Sequence, residues 1–172
     1  MIEVEVKARS PPDIESKIIK LGGELMGVEN HLDLYFNSPS RDFARTDEAL
    51  RIRIKEEGVH LTYKGPKLDS ETKSRRELTV RVDDAKVLES ILESVGFSRA
   101  AEVKKRRTKY ALGEAVLAVD EVEGLGSFIE VELSGGEDWE VQKSAALEIL
   151  ARLGLAGSIR KSYLELLNES ER

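Results

Sequence analysis

From Ile2 to Ala8 apolar and charged residues alternate strictly, as Ile2-Glu3-Val4-Glu5-Val6-Lys7-Ala8, which is the period of a half-buried strand. Ser10 as N-cap, Pro11 at the first helical position and Asp13 in the first turn then predict a helix, with Ile14, Ile18, Leu21 and Leu25 at near-helical spacing and Gly22-Gly23 as its stop. The order strand, helix, glycine recurs twice. Residues 78–82 lead through Asp83-Asp84 to a face of Val87, Leu88, Ile91, Leu92 and Val95, closed by Gly96. Residues 128–133 lead through a Ser134-Gly135-Gly136 turn to a helix carrying Val141, Ala145, Leu150 and Leu153, closed by Gly154. Unequal spacing between the copies excludes a solenoid. Further alternating stretches at 31–36, 50–55, 60–64, 103–112 and 115–122 bring the expected strands to eight. Gly58 and Gly113-Glu114 mark hairpin turns, and 37–47 and 65–74 read as longer loops.

The polar positions of these strands are unusually uniform. They read Glu3, Glu5, Lys7; Arg51, Arg53; Thr62, Lys64; Arg75, Glu77, Thr79, Arg81; Lys105, Arg107, Lys109; Asp120; Glu130, Glu132. Two arrangements satisfy that pattern. In an open sheet with helices on one face, the charges form the solvated face. In a closed barrel with helices outside, the same alternation turns the charges inward, into a lumen large enough for one small ligand. Carboxylates paired at i, i+2 in two strands and basic residues paired likewise in others form an ordering that a solvated face does not need. Burying charges costs several kcal/mol per ion without compensation, so a charged lumen points to function. Paired carboxylates suit hard divalent cations, while clustered Arg and Lys suit phosphate oxygens. Together they describe a metal-phosphate site.

Composition narrows the class. The 172 residues are 40% hydrophobic, which excludes a disordered chain and fits one domain over 1–172. No apolar run approaches the roughly 20 residues of a membrane span. Cysteine is absent and the N-terminus lacks a basic and apolar leader, so a cytoplasmic address without membrane association is expected. A net charge of -6 argues against nucleic acid as a partner. His31 and His60 lack metal-ligand spacing, Gly124-Leu125-Gly126 reads as a turn, Trp139 opens a helix as a packing residue, and no Ser/His/Asp or Cys/His set is visible.

Glu3-Val4-Glu5-Val6-Lys7 resembles the ExExK signature of the CYTH superfamily, the triphosphate tunnel metalloenzymes that include class IV adenylyl cyclases and thiamine triphosphatases. Further similar segments follow in order. They are His31-Leu32-Asp33-Leu34-Tyr35-Phe36, Asp47-Glu48-Ala49-Leu50-Arg51-Ile52-Arg53, Leu61-Thr62-Tyr63-Lys64-Gly65-Pro66, Arg75-Arg76-Glu77, Lys105-Arg106-Arg107, Val119-Asp120-Glu121-Val122, residues 125–132 and residues 162–166. The resemblance implies an α+β fold in which a closed eight-stranded antiparallel barrel forms the triphosphate tunnel and helices pack outside. It implies Mg²⁺ or Mn²⁺ at Glu3, Glu5, Asp120, Glu130 and Glu132, and phosphate at Lys7, Arg51, Arg53, Lys64, Arg75, Lys105 and Arg107. Lys64 and Tyr35 are its catalytic candidates, with a structural hydrogen bond as the other role for Tyr35. Arg75-Arg76-Glu77-Leu78-Thr79 lacks the second acid of the family's RxExE pattern, and the 104–107 run permits a one-residue slip that exchanges Lys105 and Arg107 for Lys104 and Arg106.

The implied substrate is ATP or another triphosphate, bound by a monomer or homodimer. Segments 31–36 and 47–53 look closer to class IV cyclases, which places conversion of ATP to cyclic AMP and pyrophosphate ahead of hydrolysis of inorganic or thiamine triphosphate. A non-enzymatic sensor would be expected to lose the metal carboxylates, which this chain retains.

Overall fold

The structure is a computed structural model that describes residues 2–135, 138–156 and 158–170. The elements run β1 (Ile2–Arg9), α1 (Ile14–Lys20), β2 (Glu24–Asn37), α2 (Phe43–Thr46), β3 (Ala49–Lys55), β4 (Gly58–Lys67), β5 (Arg75–Val82), α3 (Ala85–Ser94), β6 (Ser98–Leu112), β7 (Ala115–Val122), β8 (Gly126–Gly135), α4 (Trp139–Arg152) and α5 (Tyr163–Ser170). The strands close into an antiparallel barrel in the order β1-β5-β4-β3-β2-β6-β7-β8, which decides between the two arrangements left open by the alternation. Each predicted strand-helix-glycine unit forms, as β1-α1, β5-α3 and β8-α4, although Gly136 lies outside the described residues.

Several boundaries depart from the pattern: the strands expected at 31–36, 60–64 and 103–112 extend to Glu24–Asn37, Gly58–Lys67 and Ser98–Leu112, and Ser134 and Gly135 end β8 instead of forming a turn. Helix α1 begins at Ile14 behind Asp13, and Ser10 is not its cap. The physical reason is Pro12, because a residue before proline is pushed out of the helical region and Pro11 therefore cannot start the helix. Leu25 belongs to β2 and is 65% exposed, so its helical spacing was coincidental. Helices α2 and α5, with four and eight residues, are too short to show a hydrophobic period.

The apolar core lies outside the barrel wall. Val4, Val6, Leu117, Ile129 and Val131 pack against Ile14, Ile18, Leu150 and Leu153 of the α1 and α4 side. Leu34, Phe36 and Ile52 pack beneath Leu92 of α3. Helix α5 differs from the expectation of helices outside. Its Tyr163 packs with Val103, Val122 and Phe128, which alternate in phase with the inward charges, so α5 plugs one end of the lumen.

The wall is thinnest between β1 and β5, which pair only at Ile2 with Arg76 and Glu3 with Arg75. Beyond that point the free edge of β1 is completed by single residues. Lys73 N donates to Glu5 O at 3.0 Å, and Ile159 N donates to Lys7 O at 2.7 Å.

Candidate active site

The inward charges converge on one cavity of about 340 Å³. Glu3 and Glu5 reach it from β1, Tyr35 from β2, Arg51 and Arg53 from β3, Lys64 from β4, Arg75 and Glu77 from β5, Lys105 and Arg107 from β6, and Glu130 and Glu132 from β8. Lys105 and Arg107 are buried while Lys104 and Arg106 are exposed, which fixes the register of that basic run. Two residues of the sequence-derived set do not line the cavity. Lys7 is fully buried, donates to Lys161 O at 3.0 Å and lies 3.6 Å from the centre of the Tyr163 ring. Asp120 is also fully buried and accepts from Arg107 Nε, Arg107 Nη2 and Tyr163 Oη, each at 2.7 Å.

At the acidic end, Glu3, Glu5 and Glu132 each place a carboxylate oxygen within 4.8 Å of the others. Burial, followed by the charge of Glu5, raises the Glu132 carboxyl above its ordinary value. Such crowding is what a divalent cation would relieve, and three hard oxygen donors suit Mg²⁺ or Mn²⁺. Asp120 lies away from this trio, whereas Glu130 borders it and shares a hydrogen bond with Glu5. Glu130 lies 3.7 Å from Lys7 and 3.6 Å from Arg107. Burial opposes its charge, but Lys73, then the hydrogen bond with Glu5, then Lys7 and Arg107 hold its carboxyl well below the usual range.

The basic residues fall into two groups. Arg53 is forked onto Asp33 at 2.8 Å through both Nε and Nη2, as Arg107 is onto Asp120, so these guanidiniums are already neutralised. Arg51 and Arg75 have no acid within 4.0 Å among the described residues, and the buried Arg51 Nε has no hydrogen-bond partner. Unpaired donors facing a cavity are what an oxyanion requires. Lys64 lies 4.0 Å from Glu3 and 3.6 Å from Glu77, and burial lowers it to about 8. Burial and then Arg107 and Arg53 lower Lys105 to about 7. Both ammoniums are therefore poised to gain from a polyanion. Thr79, where the second acid of RxExE is missing, instead pairs its hydroxyl with Thr62 at 3.0 Å.

Along β2 the inward series continues past Asp33 to His31 and Glu29. His31 Nε2 sits 2.9 Å from Glu29 Oε2, and burial followed by Arg53 lowers His31 to about 3, so it stays neutral. Lys55 and Lys109 approach Glu29 at 3.3 and 3.5 Å, which makes this end an ion-paired floor. The opposite rim is mixed, with Phe36, Phe43, Leu50, Ala100 and Leu164 beside Asn37, Asp42, Asp47, Glu48, Ser162, Glu165 and Asn168. Asn37 Oδ1 accepts from Phe43 N at 2.8 Å and Asp42 caps α2 through Ala44 N at 3.1 Å, which holds Phe43 at the rim. No hydrogen bond to the Tyr35 hydroxyl is found among the described residues.

Sequence reasoning missed Asp33, Lys73 and Tyr163 as parts of the site. Asp33 was detectable, since Glu29, His31, Asp33 and Tyr35 alternate with Leu32, Leu34 and Phe36. Lys73 comes from a loop and Tyr163 from a short helix, where no period points inward.

A family model described as the CYTH domain matches residues 1–163. A candidate adenylate cyclase of Methanocaldococcus jannaschii is 39% identical over 96% of this chain and 98% of its own. The adenylate cyclase CyaB of Aeromonas hydrophila is 28% identical over 98% and 90%. The solved structure of the PH1819 protein of Pyrococcus horikoshii OT3 superposes with a TM-score of 0.91 at 41% identity, covering 98% of this chain and 99% of that one. A Hippeastrum protein, HpAC1, described as having a dominant triphosphatase activity, shares the fold with a TM-score of 0.70 at 19% identity, over 98% and 95%. With a matching family model spanning nearly its whole length and a charged barrel lumen, the chain belongs to the CYTH domain family.

Proposed function

We propose that this protein is an adenylyl cyclase that converts ATP to cyclic AMP and pyrophosphate. The observation that carries the reading is that one cavity joins a charged interior, with three clustered carboxylates and two arginines that have no acid partner among the described residues, to a rim where Phe36, Phe43, Leu50 and Leu164 offer apolar surface beside polar groups such as Asn37 and Asn168. The interior suits a triphosphate and the rim suits the base of a nucleotide, a need that inorganic triphosphate does not have. The names of the Methanocaldococcus and Aeromonas relatives support the same choice.

In this reading Glu3, Glu5 and Glu132 hold the divalent ion, which when bound neutralises phosphate oxygens and makes a hydroxyl a stronger nucleophile. Arg51, Arg75 and Lys105 clamp the phosphate chain from the basic side. Lys64, between Glu3 and Glu77, stabilises the charge that develops on the departing pyrophosphate. Tyr35, at the boundary between rim and interior, orients the ribose so that its 3'-hydroxyl faces the α-phosphorus. The 3'-oxygen forms a bond to phosphorus, the bond to the bridging oxygen of pyrophosphate breaks, and the hydroxyl proton leaves to solvent. The apolar rim residues Phe43 and Leu164 shield that hydroxyl from competing water. Arg107 and Arg53, forked onto Asp120 and Asp33, act as rigid walls with their outer edges toward the phosphates.

Incubation with ATP and Mg²⁺ or Mn²⁺, beside inorganic triphosphate, tests the proposal by product separation. Cyclic AMP with pyrophosphate is expected. ADP with phosphate, or cleavage of inorganic triphosphate alone, overturns it in favour of a triphosphatase.

A further inference from the structure

The acidic end of the tunnel already contains a cation. Residues 68–74 form a strap between β4 and β5 that is fastened at every turn. Leu68 N donates to Ser74 O at 2.8 Å, and the Asp69 carboxylate accepts from Thr72 N at 2.8 Å and from Thr72 Oγ1 at 3.0 Å. The hydroxyls of Thr72 and Ser74 meet at 2.7 Å, and Arg160 donates to Asp69 O from outside. Lys73 N completes the edge of β1 at Glu5, so the strap adds one strand-like residue to the seam that β5 leaves open. That placement turns the Lys73 side chain into the lumen. Its Nζ lies 2.6 Å from Glu5 Oε1, and the residue is 7% exposed.

Glu5 is also one of the three carboxylates assigned to the metal. An oxygen engaged by an ammonium at 2.6 Å cannot be given to a dication while that ammonium stays in place, because the two cations repel across a poorly screened interior. We propose that Lys73 is a resident counter-cation of the tunnel, which neutralises Glu5 in the metal-free protein, leaves it when a divalent ion binds, and then turns to the triphosphate. The inference rests on the metal assignment made above. None of the bonds that fasten the strap uses Nζ, so only the flexible four-carbon stem has to move. Metal entry thus exchanges one cation for another and releases a positive charge beside Arg75, which lines the same cavity. Metal and triphosphate therefore reinforce each other's binding.

Mn²⁺ titration followed by electron paramagnetic resonance, on the wild type and on Lys73→Met, with and without inorganic triphosphate, tests this. The variant is expected to bind Mn²⁺ alone about tenfold more tightly or better, and to lose much of the gain that triphosphate gives the wild type. Equal or weaker Mn²⁺ binding by the variant overturns the exchange while leaving the metal site intact. No Mn²⁺ binding by the wild type overturns the metal assignment itself. Should the variant not fold, reductive methylation of wild-type lysines with peptide mapping decides. Lys73 is expected to be protected in chelator and to change reactivity when Mg²⁺ is added, and unchanged protection overturns the proposal.

Discussion

Replacing Asp120 with asparagine separates a structural role from a metal-binding one. The carboxylate is fully buried and accepts three hydrogen bonds of 2.7 Å, two from Arg107 and one from Tyr163. Asparagine keeps the size, removes the charge and turns one acceptor into a donor that faces the guanidinium. Among the described residues Arg107 would retain Glu130, at 3.6 Å, as its one acid neighbour. Removing one partner of a buried ion pair costs about 3–5 kcal/mol, since the remaining charge is left uncompensated. For a domain of this size each kcal/mol lowers the melting temperature by roughly 2–4 °C, so Asp120→Asn is expected to melt about 6–20 °C lower. Because Asp120 lies outside the Glu3, Glu5 and Glu132 cluster, Mn²⁺ affinity measured by paramagnetic resonance on the folded variant should stay within about twofold. A variant with wild-type melting and Mn²⁺ affinity reduced about tenfold or more would restore Asp120 to the metal ligands, where the family resemblance had put it, and would refute the reasoning from its hydrogen bonds.

Glu132→Gln should do the reverse, lowering turnover by roughly 10²-fold and weakening Mn²⁺ binding while leaving the fold intact. Its folded carboxyl is raised by burial, so the ionised form destabilises the protein above the ordinary glutamate range, and thermal melts should show a gain for the variant at pH 7 that vanishes near pH 4. Arg51→Ala and Arg75→Ala should weaken triphosphate binding far more than monophosphate binding in titration calorimetry without lowering the melting temperature, whereas Arg53→Ala should lower it, because buried Asp33 loses both of its hydrogen bonds and keeps Lys105 at 3.9 Å as its ion-pair neighbour. Lys105 stands at about 7 when the tunnel is empty, so triphosphate should draw a proton onto it and affinity should fall as pH rises through 7; calorimetry at pH 8 in buffers of different ionisation enthalpy should show uptake that Lys105→Met abolishes. The same depression means the unfolded chain holds more protons between about pH 7 and the ordinary lysine range, so Lys105 makes the fold more stable, not less, as pH rises across that window.

Most of the barrel was legible because its strands carry a clean period of two, as in Glu3-Val4-Glu5-Val6-Lys7 and Arg51-Ile52-Arg53. Alternation assigns a residue to a face, yet it does not say whether that face is the inside of a barrel; closure depends on the pairing of β1 with β5, which amounts to two residue pairs. Nor does it give depth along the lumen. Lys7, Glu5 and Glu3 share one face of β1, but Lys7 sits behind the ring of Tyr163 while Glu3 and Glu5 line the cavity. What decides is α5, whose eight residues leave too little sequence to predict where it docks. Lys73 was hidden for a related reason. A strap held by Asp69, Thr72 and Arg160 acquires its direction from tertiary hydrogen bonds, and no local pattern encodes them.

The location of the core explains how a lumen this highly charged is tolerated. Val4, Val6, Ile129 and Val131 are completely buried on the outer face of the strands that carry Glu3, Glu5, Glu130 and Glu132. Apolar burial and charge burial therefore occupy opposite sides of the same backbone, and packing beneath α1 and α4 can offset the desolvation of the interior without filling it. Inside, the charges divide by whether they already have a partner. Asp33 with Arg53 and Asp120 with Arg107 are satisfied within the protein and act as wall. Arg51 and Arg75 have no acid within 4.0 Å among the described residues, while Glu3, Glu5 and Glu132 crowd one another. The stability deferred in these two groups is recovered only when a cation meets the carboxylates and a polyanion meets the arginines. It follows that binding either one alone should stabilise the fold less than half as much as binding both, because each ligand also screens the repulsion that the other leaves behind. Thermal melts with Mg²⁺, with a non-hydrolysable triphosphate, and with the two together measure that difference, and strictly additive shifts would mean that the two charge groups act as separate sites.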